Sequence, residues 1–141
     1  MCSGKVIDKV MTKKTKRSIQ WVKENKTKKY SGIHLIAEFW NGEIVEDVSK
    51  MKKILAAAVR KANNTPLEII IHKFQPQGMT GIVLLAESHI AIHTWPEFNY
   101  IALDIYTCGD KANPFKALEY LKEEFHPQKF ESRKLKRGIV R

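Results

Sequence analysis

Cysteine is scarce in this chain. Only Cys2 and Cys108 occur in 141 residues, too few for a disulfide framework, so a reducing, cytoplasmic setting is the expectation. Neither cysteine sits in a CxxC pair, which removes the usual zinc modules. The 7 glycines never fall into GxGxxG or GxxxxGK[ST], so neither a dinucleotide fingerprint nor a phosphate loop is present. No apolar run approaches the roughly 20 residues of a membrane-spanning helix. The lysine-rich N-terminal stretch lacks the apolar core of a secretory signal, and no membrane partner is expected.

Acidic residues are few as well, 15 against 25 Lys and Arg, but the imbalance is local. Residues 1–31 hold 10 basic residues against Asp8 and Glu24, a net +8; residues 32–141 hold the other 15 against 13 acidic ones, a net +2. The basicity therefore belongs to an extension, and the body is almost neutral. A basic arm can contact nucleic acid; the favoured reading is a solvated, poorly ordered extension. A boundary near Tyr30-Ser31-Gly32 leaves 32–141 as one domain, at 43% hydrophobic residues overall enough for a modest core.

Periodicity organises that domain. Residues 33–39, in which β-branched and apolar residues dominate, read as a strand. Asp47 or Ser49 can cap a helix whose apolar stripe is Val48, Met51, Leu55, Ala58 and Ala62, ended by Asn63-Asn64. Strands follow at 67–73 and 80–86, around Ile90 and Ile92, and through Ile101, Leu103 and Ile105. Asn113-Pro114 opens a second helix with Phe115, Leu118, Leu121 and Phe125 on its apolar side. A last strand is expected from Gln128 to about Leu135. The order β-α-β-β-β-β-α-β predicts an α+β two-layer sandwich, a mostly antiparallel sheet with two helices on one face.

Reactive side chains concentrate between Glu87 and Glu97 and again at Cys108. Zinc is the first chemistry to test, since His72, His89, His93 and Cys108 are all suitable donors. On a strand, however, His89 and His93 stand roughly 13 Å apart at about 3.3 Å per residue, too far for two zinc bonds of about 2 Å. No metal is expected. Ser88, His93 and Asp104 supply the types of a hydrolytic triad, but the G-x-S-x-G elbow is missing. Each residue alone also has a plain structural role. Serine caps turns, and an unpaired cysteine is usually a small buried hydrophobe.

The combination is more specific. Phe74-Gln75-Pro76-Gln77-Gly78-Met79-Thr80-Gly81, Ala86-Glu87-Ser88-His89, His93-Thr94-Trp95-Pro96-Glu97 and Thr107-Cys108-Gly109 stand in one register. With Gly32-Ile33-His34-Leu35 and Lys136-Arg137-Gly138, they resemble the prokaryotic S-adenosylmethionine decarboxylases over about residues 32–141. The resemblance implies a chain that makes its own covalent pyruvoyl cofactor. Ser88 Oγ would attack the Glu87 carbonyl, and elimination would free a β chain of residues 1–87. The α chain, 88–141, would then begin with a pyruvoyl group derived from Ser88. That group acts as an electron sink once the substrate amine condenses with it, as pyridoxal phosphate does.

By the same resemblance, His93 is the processing histidine and Thr80 stands where the family often has serine, keeping the hydroxyl. Cys108 matches the proton donor to the substrate carbon, Phe74 the aromatic that stacks on adenine, and Glu97 the acid that binds the ribose hydroxyls. The resemblance also implies a homodimer of processed protomers, S-adenosylmethionine as substrate, and a product that donates aminopropyl groups for spermidine. Relatives sharing the chemistry decarboxylate arginine or ornithine, and an inactive regulatory paralogue is a further alternative. The stretch Glu97-Phe98-Asn99-Tyr100 departs from the family's glycine-containing turn.

Overall fold

A computed structural model describes residues 22–23 and 29–139. Two short strands, β1 (Val22–Lys23) and β2 (Lys29–Tyr30), pair with each other. The main sheet is built from β3 (Gly32–Trp40), β4 (Pro66–Lys73), β5 (Met79–Leu85), β6 (His89–Trp95), β7 (Tyr100–Cys108) and β8 (Lys129–Arg137). Helix α1 (Val48–Lys61) follows β3, and α2 (Pro114–Phe125) follows β7. The strand order is β4-β5-β6-β7-β3-β8, antiparallel at every pairing. This is the expected α+β sandwich, with both helices packed on one face of the sheet.

Local chemistry sets the helix limits. The Asp47 side chain accepts from the Lys50 amide and opens α1, while Arg60 and Lys61 lie in its last turn, where cations complement the helix dipole. Asn113 caps α2 in the same way, with Pro114 in its first turn. The core joins Met51, Leu55 and Val59 of α1 to Leu121 and Phe125 of α2 and to the inward positions of the strands. Fully burying a side chain of this size stabilises the fold by roughly 1.5–3 kcal/mol, so this layer holds the sheet flat against the helices.

One detail differs from the sequence reading. Phe115, expected in the buried stripe of α2, is 40% exposed, while Pro114, Ala117, Leu118, Leu121 and Phe125 are buried. Pro114 occupies the slot one turn before Leu118, which turns Phe115 outward, beneath the ammonium of Lys134 at 5.5 Å. Within the extension, Tyr30 is buried and paired with Val22. The rest of the basic arm lies outside the described residues.

Candidate active site

Strand alternation gives the sheet a second face that no helix covers. Along β6, Ile90, Ile92 and Thr94 are buried, so His89, Ala91, His93 and Trp95 project the other way. Along β7, Tyr100, Ala102, Asp104, Tyr106 and Cys108 do the same. Every residue that the sequence marked for chemistry lies on this open face or at its two ends.

At one end the β5–β6 connection carries Glu87 and Ser88. The turn is clamped to the segment after α1 by a reciprocal pair. Ala86 N donates to Thr65 O at 3.0 Å, and Thr65 N donates to Glu87 Oε2 at 2.9 Å. Leu85 N donates to Ser88 O at 2.9 Å and closes the turn. The last β6–β7 pair is His89 with Tyr106, two residues before Cys108 at the end of β7. Cys108 itself pairs with Gly32, where a Cβ would meet Thr107 O at 2.3 Å and Cys108 Sγ at 3.1 Å. A side chain at position 32 would therefore crowd the thiol. Asn64 Nδ2 donates to Thr107 Oγ1 at 2.8 Å and fixes the strand end from the buried side.

At the opposite end, Thr80 and His93 are cross-strand partners, and Thr80 Oγ1 lies 3.0 Å from His93 Nδ1. Phe74 leaves β4 there, 47% exposed, with its ring edge-on to His72 at 4.6 Å between centroids. Glu97 lies in the short 3-10 turn Pro96–Phe98, and Gln77 Nε2 donates to its Oε2 at 3.4 Å, which joins the two loops. The departure from a glycine-containing turn is accommodated by Asn99, whose left-handed backbone (φ 46) is one that asparagine adopts more readily than most residues. Close by, Trp95, Tyr100 and Trp40 stack in a row. The Tyr100 hydroxyl donates to Glu38, and burial together with that carboxylate pushes its pKa up to about 12.

The two ends do not meet within one chain. Ser88 and His93 are five residues apart on an extended strand, roughly 16 Å at about 3.3 Å per residue. The structure brings together Thr80 with His93, with Phe74 and Glu97 in the loops beyond, and separately Glu87, Ser88 and Cys108. Asp104 does not join Ser88 and His93 in a triad. Its Oδ1 lies 2.9 Å from His34 Nε2.

That pair belongs to a cluster whose members lie far apart in the sequence. His34 of β3, His89 of β6, Asp104 and Tyr106 of β7 and Arg137 of β8 converge beside the Ser88 turn. Ser88 Oγ lies 3.4 Å from His89 Nδ1, and Arg137 Nη1 lies 3.3 Å from His34 Nδ1. Burial, then the neighbouring His34, lower the His89 pKa. Only the matching parity of these positions along their strands could have signalled the cluster, and the register needed to use it is non-local.

An antiparallel sheet backed by two helices, with hydroxyl, imidazole, carboxylate and thiol on its bare face, defines an α+β scaffold with a candidate active site on the uncovered side of its sheet. Comparison with known proteins makes this specific. The family model described as S-adenosylmethionine decarboxylase matches residues 33–138, and the chain belongs to that family. The S-adenosylmethionine decarboxylase proenzyme of Pelotomaculum thermopropionicum is 44% identical over 114 residues, covering 79% of this chain and 90% of that one. The proenzyme of Clostridium kluyveri is 42% identical over 110 residues, covering 77% and 87%. The crystal structure of the adenosylmethionine decarboxylase from Aquifex aeolicus superimposes with a TM-score of 0.74 at 37% identity, covering 79% of this chain and 94% of that one.

Proposed function

We propose that this protein is a self-processing, pyruvoyl-dependent S-adenosylmethionine decarboxylase, with residues 32–141 as its catalytic unit. The observation that carries the reading is the clamped Glu87–Ser88 turn with the Cys108 thiol at the adjoining strand end. A pyruvoyl group derived from Ser88 fits there, because the serine is the first residue after the clamp and borders the open face. That group supplies a ketone able to accept the electron pair left when carbon dioxide departs. Cys108 holds a proton at Sγ for the substrate carbon, the part of a positioned general acid. Phe74 offers an exposed ring face for a purine, and Glu97 offers a carboxylate for vicinal ribose hydroxyls. These two favour a nucleoside substrate over arginine or ornithine.

The split site argues for a homodimer. The bare face exposes Ile70, Ile82, Leu84 and Leu135, an apolar surface of the kind that marks an interface. Two copies packed by this face about a two-fold axis would set the Thr80–His93 end of one against the Ser88–Cys108 end of its partner. Among the described residues no helix is long and apolar enough to cross a membrane. A free Cys108 thiol in the site suits a reducing cytoplasm.

Intact mass under denaturing conditions tests the processing, and carbon dioxide release from S-adenosylmethionine, arginine and ornithine in parallel tests the substrate. The expected result is two chains divided between Glu87 and Ser88, and turnover of S-adenosylmethionine alone. A single uncut chain, inert with all three, would overturn the reading and favour a regulatory paralogue.

A further inference from the structure

The open face holds one imidazole within reach of the Ser88 hydroxyl, and it is not His93. His89 Nδ1 lies 3.4 Å from Ser88 Oγ in the folded chain, before any partner arrives. We propose that His89 is the general base of the first self-cleavage step, the transfer of the Glu87 acyl group from nitrogen to oxygen. This rests on the processing reading above and assigns a residue and an order of events within it. Ser88 Oγ attacks the Glu87 carbonyl carbon while its proton passes to His89 Nδ1. The carbon–nitrogen bond then breaks as the same proton moves on to the departing amine of Ser88. One bond forms, one breaks, and no proton is gained or lost, so the step needs no co-reactant. His93, roughly 16 Å along the strand, contributes only in the later elimination, from the second copy.

The surroundings of His89 suit an acceptor. Its ring packs edge-on against Tyr106, centroids 5.8 Å apart, and against His34 at 6.2 Å. Asp104 Oδ1 lies 2.9 Å from His34 Nε2, and Arg137 Nη1 lies 3.3 Å from His34 Nδ1. The Arg137 guanidinium also lies over the Tyr106 ring, 5.2 Å from its centroid. The titratable and charged groups facing His89 are thus His34 from β3, Asp104 and Tyr106 from β7, and Arg137 from β8. On the β5 side its partner is Leu84. Burial, His34 and Arg137 lower its pKa, and Asp104 opposes them. The ring is therefore held unprotonated at neutral pH, as a base requires. A merely structural histidine would need neither the contact to Oγ nor this balance.

The full chain tests the proposal, with cleavage read by mass rather than by decarboxylation. His93→Ala blocks the elimination and lets the ester accumulate; hydroxylamine, which attacks esters, should then cut it between residues 87 and 88. Adding His89→Ala should leave the chain intact in hydroxylamine. His89→Ala alone should slow cleavage by about a hundredfold or more, the range of general base catalysis, and added imidazole should restore part of the rate. Arg137→Gln removes a group that lowers the His89 pKa, so the acid limb of the cleavage rate should move to higher pH, a readout that survives if the alanine variant folds poorly. Ester formation in the double variant, or wild-type cleavage in His89→Ala, or an acid limb unmoved by Arg137→Gln, overturns the proposal while leaving the processing reading intact. An uncut wild type overturns both.

Discussion

Along β6, Ile90 and Ile92 face the helices and His89 and His93 face away, so neighbouring residues of one strand serve opposite ends. The covered face is aliphatic almost throughout, and its requirement is volume. Many apolar sequences fill such a layer, and volume-conserving swaps there usually cost less than about 1.5 kcal/mol. The bare face depends on particular atoms. Thr80 Oγ1 must reach His93, Asp104 must reach His34, and Ser88 must reach His89. Stability is carried by one parity of the strands and chemistry by the other, so the two should fail separately.

The sharpest separation is expected from Ser88→Ala. It removes the only hydroxyl at the processing bond, and mass spectrometry should find no cut at all, with thermal unfolding almost unchanged because the residue lies in a turn. A loss of stability as large as a core mutation causes would break the division between the faces. Next comes a pair of variants that tests the bare face across two copies. His93→Ala and Cys108→Ala should each be inactive alone, yet coexpressed they should regain about a quarter of wild-type activity. Half the random dimers are mixed, and each mixed dimer has one intact site. No regain would mean that each site is built within one chain.

The covered face should respond in the opposite sense. Leu55→Ala deletes a fully buried side chain and should cost about 2–5 kcal/mol in denaturant unfolding. The molecules that remain folded should still be cleaved. Loss of cleavage with folding intact would show that the helices tune the site. The smallest effect concerns Tyr100, whose pKa of about 12 exceeds the unfolded value of 10.0. The folded state holds this proton more tightly, so its contribution is complete below pH 10 and declines as pH rises toward 12. Absorbance at 295 nm should show Tyr100 titrating late, alongside the also raised Tyr120, and Glu38→Gln should bring the Tyr100 part back toward 10.

Much of the covered face was legible in the sequence because its signals are local. The stripe of α1, the Asp47 and Asn113 caps and the alternation of β6 and β7 all follow from spacing. Phe115 was misjudged because Pro114 fits the same stripe one residue earlier. Strand order was not legible, since β3 enters between β7 and β8 through pairings far apart in sequence. The His34–Asp104–Arg137 cluster depends on those pairings and could not be assembled. The division of the site was within reach, however. The strand arithmetic that removes a zinc site at His89 and His93 equally separates Ser88 from His93. Motif resemblance names residues that cooperate, but it does not say whether they belong to one chain.

The strand order has one more consequence. On the proposed cleavage, β3, β4 and β5 belong to the first fragment and β6, β7 and β8 to the second, yet β3 lies between β7 and β8. The fragments are interleaved rather than side by side, so neither can leave without breaking ladders on both edges of β3. The protein would fold as one molecule and, once cut, unfold into two. Each protomer would then refold only when two chains meet, so refolding would slow with dilution beyond what dimer assembly alone imposes on uncut Ser88→Ala. The uncut precursor would thus serve as its own intramolecular chaperone, used once.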